Sequence, residues 1–236
     1  MLVPLSGSSE FDRRWRLAVG YRYQEWAAHR EAGVAFDELL KRYPDDPEAL
    51  VARGSLHEYM AAVPSIPEPS RPTPMTVALW TLRQWHEAAR LYRKALDLRA
   101  DYDEAHLRLG RVAASLGQMD EARRELSRVA TTSRRRALVA WAHLFLGQVE
   151  ERSSDPEAAL RSYHAALLAN PRLQPAQLSL TATLQRLGRS DEALAVLQQG
   201  LQLTRDGDLN GWFGYHTRAL HAYAVVMDSL WGDAQK

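Results

Sequence analysis

One spacing constrains this chain more than any other. A small residue, a large one four positions on and a small or apolar one three further recur with a period near 34. Five copies stand in phase: Ala32-Phe36-Leu39, Ala88-Tyr92-Ala95, Ala122-Leu126-Val129, Ala159-Tyr163-Ala166 and Ala193-Leu197-Gly200. The alanines of the last four are separated by 34, 37 and 34 residues, and the first two by 56, which is 34 plus an insertion of 22. Twelve residues before the alanine comes a glycine or its equivalent: Gly20, Gly110, Gly147 and Thr181. In the second copy that glycine is Gly54, on the far side of the insertion. A period of this length means a stack of like units, because no single unit can bury its apolar face alone.

Each unit reads as two antiparallel helices. Positions i, i+4 and i+7 share one helical face, so the small residues admit a neighbouring helix and the large one fills the gap. A glycine inside a helix costs about 1 kcal/mol against alanine, and its return at one repeat position implies a packing reason. The punctuation agrees. Asp46-Pro47-Glu48 and Asp155-Pro156-Glu157 each offer an N-cap, a first-turn proline and an acidic first turn. Gly117 and Gly188 fall where the first helix of a pair must end, and Pro44 and Pro171 follow the second helix.

This pattern resembles the tetratricopeptide repeat (TPR) family from about Arg13 to Gly207, with the best single copy running from Leu146-Gly147 through Ala159, Tyr163 and Ala166 to Pro171. The family's tryptophan position departs, holding Arg16, Leu50, His106, His143 and Gln177. The resemblance implies an all-α fold: a right-handed superhelical array of about five TPR-like helix pairs plus a C-terminal capping helix.

It also implies a non-catalytic interaction scaffold whose first helices line a concave groove for a protein or peptide. Carried onto this sequence, the partner-binding positions are Leu17, Tyr21, Gln24, Val51, Ser55, Leu107, Arg111, Trp141, Leu144, Gln148 and Leu178. An aliphatic stands at the fifth position of every repeat: Leu17, Val51, Leu107, Leu144 and Leu178. That row reads equally as a groove floor or as packing between adjacent first helices. The lysine and asparagine with which chaperone-binding relatives clamp a terminal carboxylate are replaced here, so that clamp is not expected.

Chemistry beyond binding finds little footing. The 236 residues contain no cysteine, which removes disulfides, thiolate nucleophiles and Cys-based metal sites. His86-Glu87 opens like a zinc motif but continues Ala88-Ala89-Arg90, without the second ligand. Asp206 to Gly211 matches the start of a calcium loop, yet position twelve is Thr217 where a bidentate glutamate is needed. No phosphate loop or nucleophile elbow occurs. We therefore expect no enzyme activity, metal or cofactor. A formal net charge of +1 offers no field to attract nucleic acid, despite Arg134-Arg135-Arg136, and we expect no nucleic-acid partner. The alternative readings are a nucleic-acid binder and a regulatory or assembly segment of a larger protein. Arginine- and alanine-rich usage suits a GC-rich bacterial genome. No apolar run reaches the ~18 residues that span a bilayer, so membrane insertion is not expected. We expect a soluble protein whose compartment the sequence leaves open, cytoplasmic or, with an export signal removed, periplasmic.

Three segments lie outside the repeats. Residues 1–10 read as an N-terminal tail, native or added in cloning, ahead of an array over 11–207. The insertion, proline-rich over 63–75, carries five prolines in VPSIPEPSRPTP and favours extended polyproline II as a docking motif, a lid or a spacer. After it, Thr76 to Leu98 reads as an unusually long helix in which Trp80 and Trp85 bury the extra length. Residues 208–236 read as a turn and a capping helix, with Leu220, Tyr223, Met227 and Trp231 along one stripe.

Overall fold

The computed structural model describes residues 9–62 and 73–204. Ten helices run along them: α1 Ser9–Glu25, α2 His29–Arg42, α3 Pro47–Ala62, α4 Pro74–Leu98, α5 Asp103–Ser115, α6 Met119–Thr132, α7 Arg136–Arg152, α8 Pro156–Ala169, α9 Gln174–Arg186 and α10 Ser190–Thr204. No strand occurs among the described residues. Odd and even helices pair in sequence, and the chain divides into two compact units, one holding α1–α4 and the other α5–α10. The N-terminal tail to residue 8, the proline-rich stretch 63–72, the calcium-like loop and the C-terminal segment lie outside the described residues.

The small-large-small triads form the core. All three members of the first four copies are buried, with Phe36, Tyr92, Leu126 and Tyr163 at 0% exposure. The glycine of each pair faces the large residue of its partner helix. A Cβ added to Gly54 would come 2.5 Å from Cε1 of Tyr92, and one added to Gly110 would lie 2.6 Å from Cγ of Leu126. Gly20 and Gly147 meet the rings of Phe36 and Tyr163 in the same way. Three of these pairs are 16 residues apart and the Gly54–Tyr92 pair is 38 apart, so the 22-residue insertion leaves the packing register intact.

A second position repeats as strictly. Seven residues after the packing glycine or its threonine equivalent, the first helix ends in left-handed backbone: Ala27 (φ 54°), Gly117 (φ 78°), Ser154 (φ 62°) and Gly188 (φ 75°). At each turn the next amide reaches back to the carbonyl five residues earlier, as in Ala28 to Tyr23, Gln118 to Ala113, Asp155 to Glu150 and Arg189 to Leu184. These are Schellman closures. The repeat geometry therefore sets the backbone at this turn, whether or not glycine occupies it.

Side-chain caps open three of the described helices, α3, α4 and α8. Asp155 Oδ1 accepts the Ala158 amide at 2.9 Å, and Asp46 Oδ1 accepts those of Glu48 at 2.9 Å and Ala49 at 3.4 Å ahead of α3. Helix α4 begins at Pro74, two residues earlier than expected, because Thr73 Oγ1 accepts the Thr76 amide at 3.2 Å and Pro74 occupies the first turn. With 25 residues, α4 is 11 longer than the 14-residue α2, α6 and α8. Its tryptophans do less than expected. Trp80 and Trp85 are half-buried, while Met75, Leu79 and Leu82 on another stripe stay exposed.

Candidate functional site

The first-helix positions divide by burial rather than forming one open row. Leu17, Val51, Leu107 and Leu144 are 4% exposed or less. Leu178, their equivalent on α9, is 64% exposed. Gln24, Ser55 and Trp141 are also buried, and the Ser55 hydroxyl is satisfied locally by donating to the Ala52 carbonyl at 2.8 Å. Tyr21, Arg111 and Gln148 are half-buried. Helical period alone cannot separate these cases, because exposure at the fifth position depends on what the neighbouring pair covers.

In the unit of α5–α10, several of these residues meet. The Arg111 guanidinium on α5 sits over the Phe145 ring of α7, 5.7 Å from its centroid. Phe145 packs against Trp141, with centroids 5.7 Å apart and planes tilted by 30°. Buried Leu107 and Leu144 belong to the same two helices, and Gln148 stands one turn beyond Leu144. The result is a buried apolar and aromatic cluster, with Phe145 1% and Trp141 7% exposed, and with the half-buried Arg111 and Gln148 on the same two helices. Sequence reasoning does not reach Phe145, since its position alternates with the groove positions and carries no motif. In the other unit, Tyr21 meets Phe36 edge-on, with centroids 5.6 Å apart and planes at 75°.

Glu58 and Glu151, at the repeat position that Gln24 holds in the first pair, serve the interior. The Tyr92 phenol donates to Glu58 at 2.7 Å, and the Tyr163 phenol to Glu151 at 2.9 Å. Glu151 also accepts from Thr183 and pairs with Arg186, both on α9. Burial together with the Glu151 carboxylate pushes the Tyr163 phenol well above its ordinary range, so it stays a donor. Where the partner is Phe36 or Leu126, which have no hydroxyl, the matching positions hold Gln24 and Ala114.

Other clusters are already satisfied. A cleft of about 540 Å³ at the α2–α3 turn is lined by Arg13, Tyr43, Asp46, Glu48 and Arg99 among others. Its Arg13 is held by Glu10 at 2.7 Å, Asp46 at 2.8 Å and Glu48 at 3.1 Å. His106 Nδ1 lies 2.6 Å from Glu125, and that hydrogen bond lowers the carboxyl's pKa. Among the described residues no group of three or more histidines and acids is placed to hold a metal ion. Nor is any described helix long and apolar enough to cross a membrane.

Stacked helix pairs closed by a glycine against a large residue define a helical-repeat chain. More particularly, the family model described as tetratricopeptide repeat matches residues 79–142, from α4 into α7. Solved structures of MamA share the fold. One MamA protein crystal structure is 19% identical, covering 82% of this chain and 92% of its own, with a TM-score of 0.57. The MamA RS-1 ArsTM double mutant is 20% identical, covering 86% and 99%, with a TM-score of 0.58. At such identities the likeness is one of fold. No curated protein matches the chain.

Proposed function

We propose that this protein is a non-catalytic scaffold that holds a protein or peptide segment against the first-helix face of its repeats, centred on α5 and α7. The observation that carries this reading is the Arg111–Phe145–Trp141 stack beside Gln148. Half-buried hydrogen-bonding groups held over an apolar layer suit an extended segment, whose backbone seeks polar partners. Leu107 and Leu144 belong to that buried layer. Leu178, in the same unit, is a further position with an accessible side chain, and Tyr21 is the half-buried groove position of the other unit. A receptor built of packed helix pairs spends little affinity on its own ordering.

The experiment is capture of partners by the full chain and by a variant with Tyr21, Arg111 and Gln148 all changed to alanine, with circular dichroism to establish that both are folded. We expect the variant to melt as a helical protein and to lose the principal captured species. Undiminished capture by a folded variant overturns the groove reading.

A further inference from the structure

Helix α1 is covered on a side where no described helix lies. Within each unit, a later first helix turns one face to the pair before it. On α3 that face holds Ala49, Ala52 and Leu56, which share a core cluster with Leu17 of α1. Its outer members stand five residues before and two after the packing glycine or its threonine equivalent. On α7 they are Ala142 and Val149, on α9 Ala176 and Thr183, and all four are at 0% exposure. On α1 the same positions hold Trp15 and Arg22, with Ala18 between them and Phe11 one turn earlier. The described helices that pack on α1 are α2 and α3. They meet it on other sides, through Gly20 against Phe36 and through Leu17. Ala18 is nonetheless 0% exposed and stands outside the Leu17 cluster, while Phe11, Trp15 and Arg22 are half-buried. At the last described pair the reverse holds: Leu178 on α9 is 64% exposed and Leu194 on α10 55%.

We propose that the Phe11–Trp15–Ala18–Arg22 face is covered by the chain's own C-terminal segment, bound as an amphipathic helix along α1, so that the end of the chain closes its beginning. Three observations select that occupant. First, residues 213–236 group with residues 1–100 and not with the helices they follow. Second, the lengths agree. The segment carries Leu220, Tyr223, Met227 and Trp231 on one stripe, and Leu220 is eleven residues from Trp231, as Phe11 is from Arg22. Each span rises about 16 Å as helix. Third, the face accepts an apolar stripe. Ala18 leaves room beside Trp15, and Arg22 lies over the Trp26 ring at 4.7 Å while pairing with Glu25 at 2.7 Å, so its stem continues the apolar surface. The competing occupant within this unit is the tail of residues 1–8, with Leu2, Val3 and Leu5. It is short and holds Pro4, and an extended tail laid on a helix leaves its backbone groups without partners, whereas a helix pairs its own.

The absence of cysteine makes the test clean. Full-length variants carry Val19→Cys, beside Ala18, combined with Tyr223→Cys or Met227→Cys. Two rival pairs join Val19→Cys to Leu5→Cys and Leu178→Cys to Met227→Cys. Each is treated at low protein concentration with a short bismaleimide and read by intact mass and gel, with circular dichroism as the check on folding. We expect crosslinks from position 19 to positions 223 and 227 as species of monomer mass, lost when Trp231→Glu is added, and little product from either rival pair. A second measurement needs no cysteine: hydrogen exchange of the full chain, in which Trp231→Glu should speed exchange across 11–25 and leave α7 and α8 unchanged. Four results overturn the proposal. They are crosslinked dimers, in which a second copy covers the face; preferential product from position 5 or position 178; folded variants that do not crosslink; and exchange across 11–25 that Trp231→Glu does not alter.

Discussion

The phenol of Tyr92 donates a 2.7 Å hydrogen bond to the carboxylate of Glu58, a side chain with no solvent exposure. The pair spans the insertion, its members 34 residues apart in sequence, and it recurs as Tyr163 with Glu151, 12 apart. Subtracting the 22 inserted residues makes the two spacings equal. The interior of the second repeat is thus rebuilt as in the fourth, despite the chain leaving and re-entering the pair. Replacing Tyr92 with Phe keeps the ring but removes a donor from a buried carboxylate. The expected cost is about 1.5–3 kcal/mol. A double-mutant cycle with Glu58→Gln in urea unfolding should return a coupling well above the error of additivity. A Tyr92→Phe variant as stable as the parent would mean that the bond contributes nothing.

Two glycines in helices should respond to alanine in opposite directions. At Gly110 a methyl group would lie 2.6 Å from Leu126 Cγ and 3.2 Å from its backbone nitrogen. The overpacking penalty of about 1–3 kcal/mol should outweigh the gain in helix propensity of about 1 kcal/mol. At Gly33 the nearest atom is Leu56 Cδ2 at 3.6 Å, an ordinary contact. There Gly33→Ala should raise stability by roughly 0.5–1 kcal/mol. Thermal melting of both single variants checks the contrast, and equal signs would contradict the packing described.

The left-handed turn position offers a complementary pair of tests. Ala27 and Ser154 hold positive φ with a side chain attached, whereas Gly117 and Gly188 have nothing within 4 Å of a would-be Cβ. The energetic difference at these sites is therefore one of backbone conformation. Ala27→Gly and Ser154→Gly should each stabilise by up to about 1 kcal/mol, and Gly117→Ala should destabilise by about 1–2 kcal/mol. Differential scanning calorimetry on the three variants resolves shifts of this size.

Acid should weaken the fold in two stages. Burial lowers the pKa of His57 from its ordinary 6.5, even though Gln84 accepts from its Nδ1 at 2.7 Å and Glu87 and Asp37 favour the charged form. Burial also lowers His29 and His143. With folded values below unfolded ones, the unfolded chain binds more protons, so stability is complete above about pH 6.5 and declines as pH falls below it. Glu125, lowered from 4.5 chiefly by its hydrogen bond to His106, adds a second loss below about pH 4.5. The melting temperature should therefore fall between about pH 7 and 5, and His57→Asn should flatten that slope. An unchanged slope in the variant would remove His57 from the account.

The periodic parts of this protein are legible in its amino-acid order. The 16-residue relation between packing glycine and large residue, the capping by Asp46 and Asp155, and the turns at Gly117 and Gly188 are local or fixed-interval features. Short-range sterics and helical period suffice to determine them. Tyr–Glu pairing is also written at a constant spacing once the 22 inserted residues are subtracted.

What the tertiary structure alone decided was exposure and non-local contact. Leu144 and Leu178 occupy the same repeat position in the same helical pattern, yet one is buried and the other is 64% exposed. Similarly, Arg111 meets Phe145 only because α5 and α7 belong to successive pairs stacked in one unit. Helical periodicity specifies which residues share a face, but burial depends on the surface that comes to lie opposite. That surface is supplied by residues tens of positions away, and no local spacing encodes it.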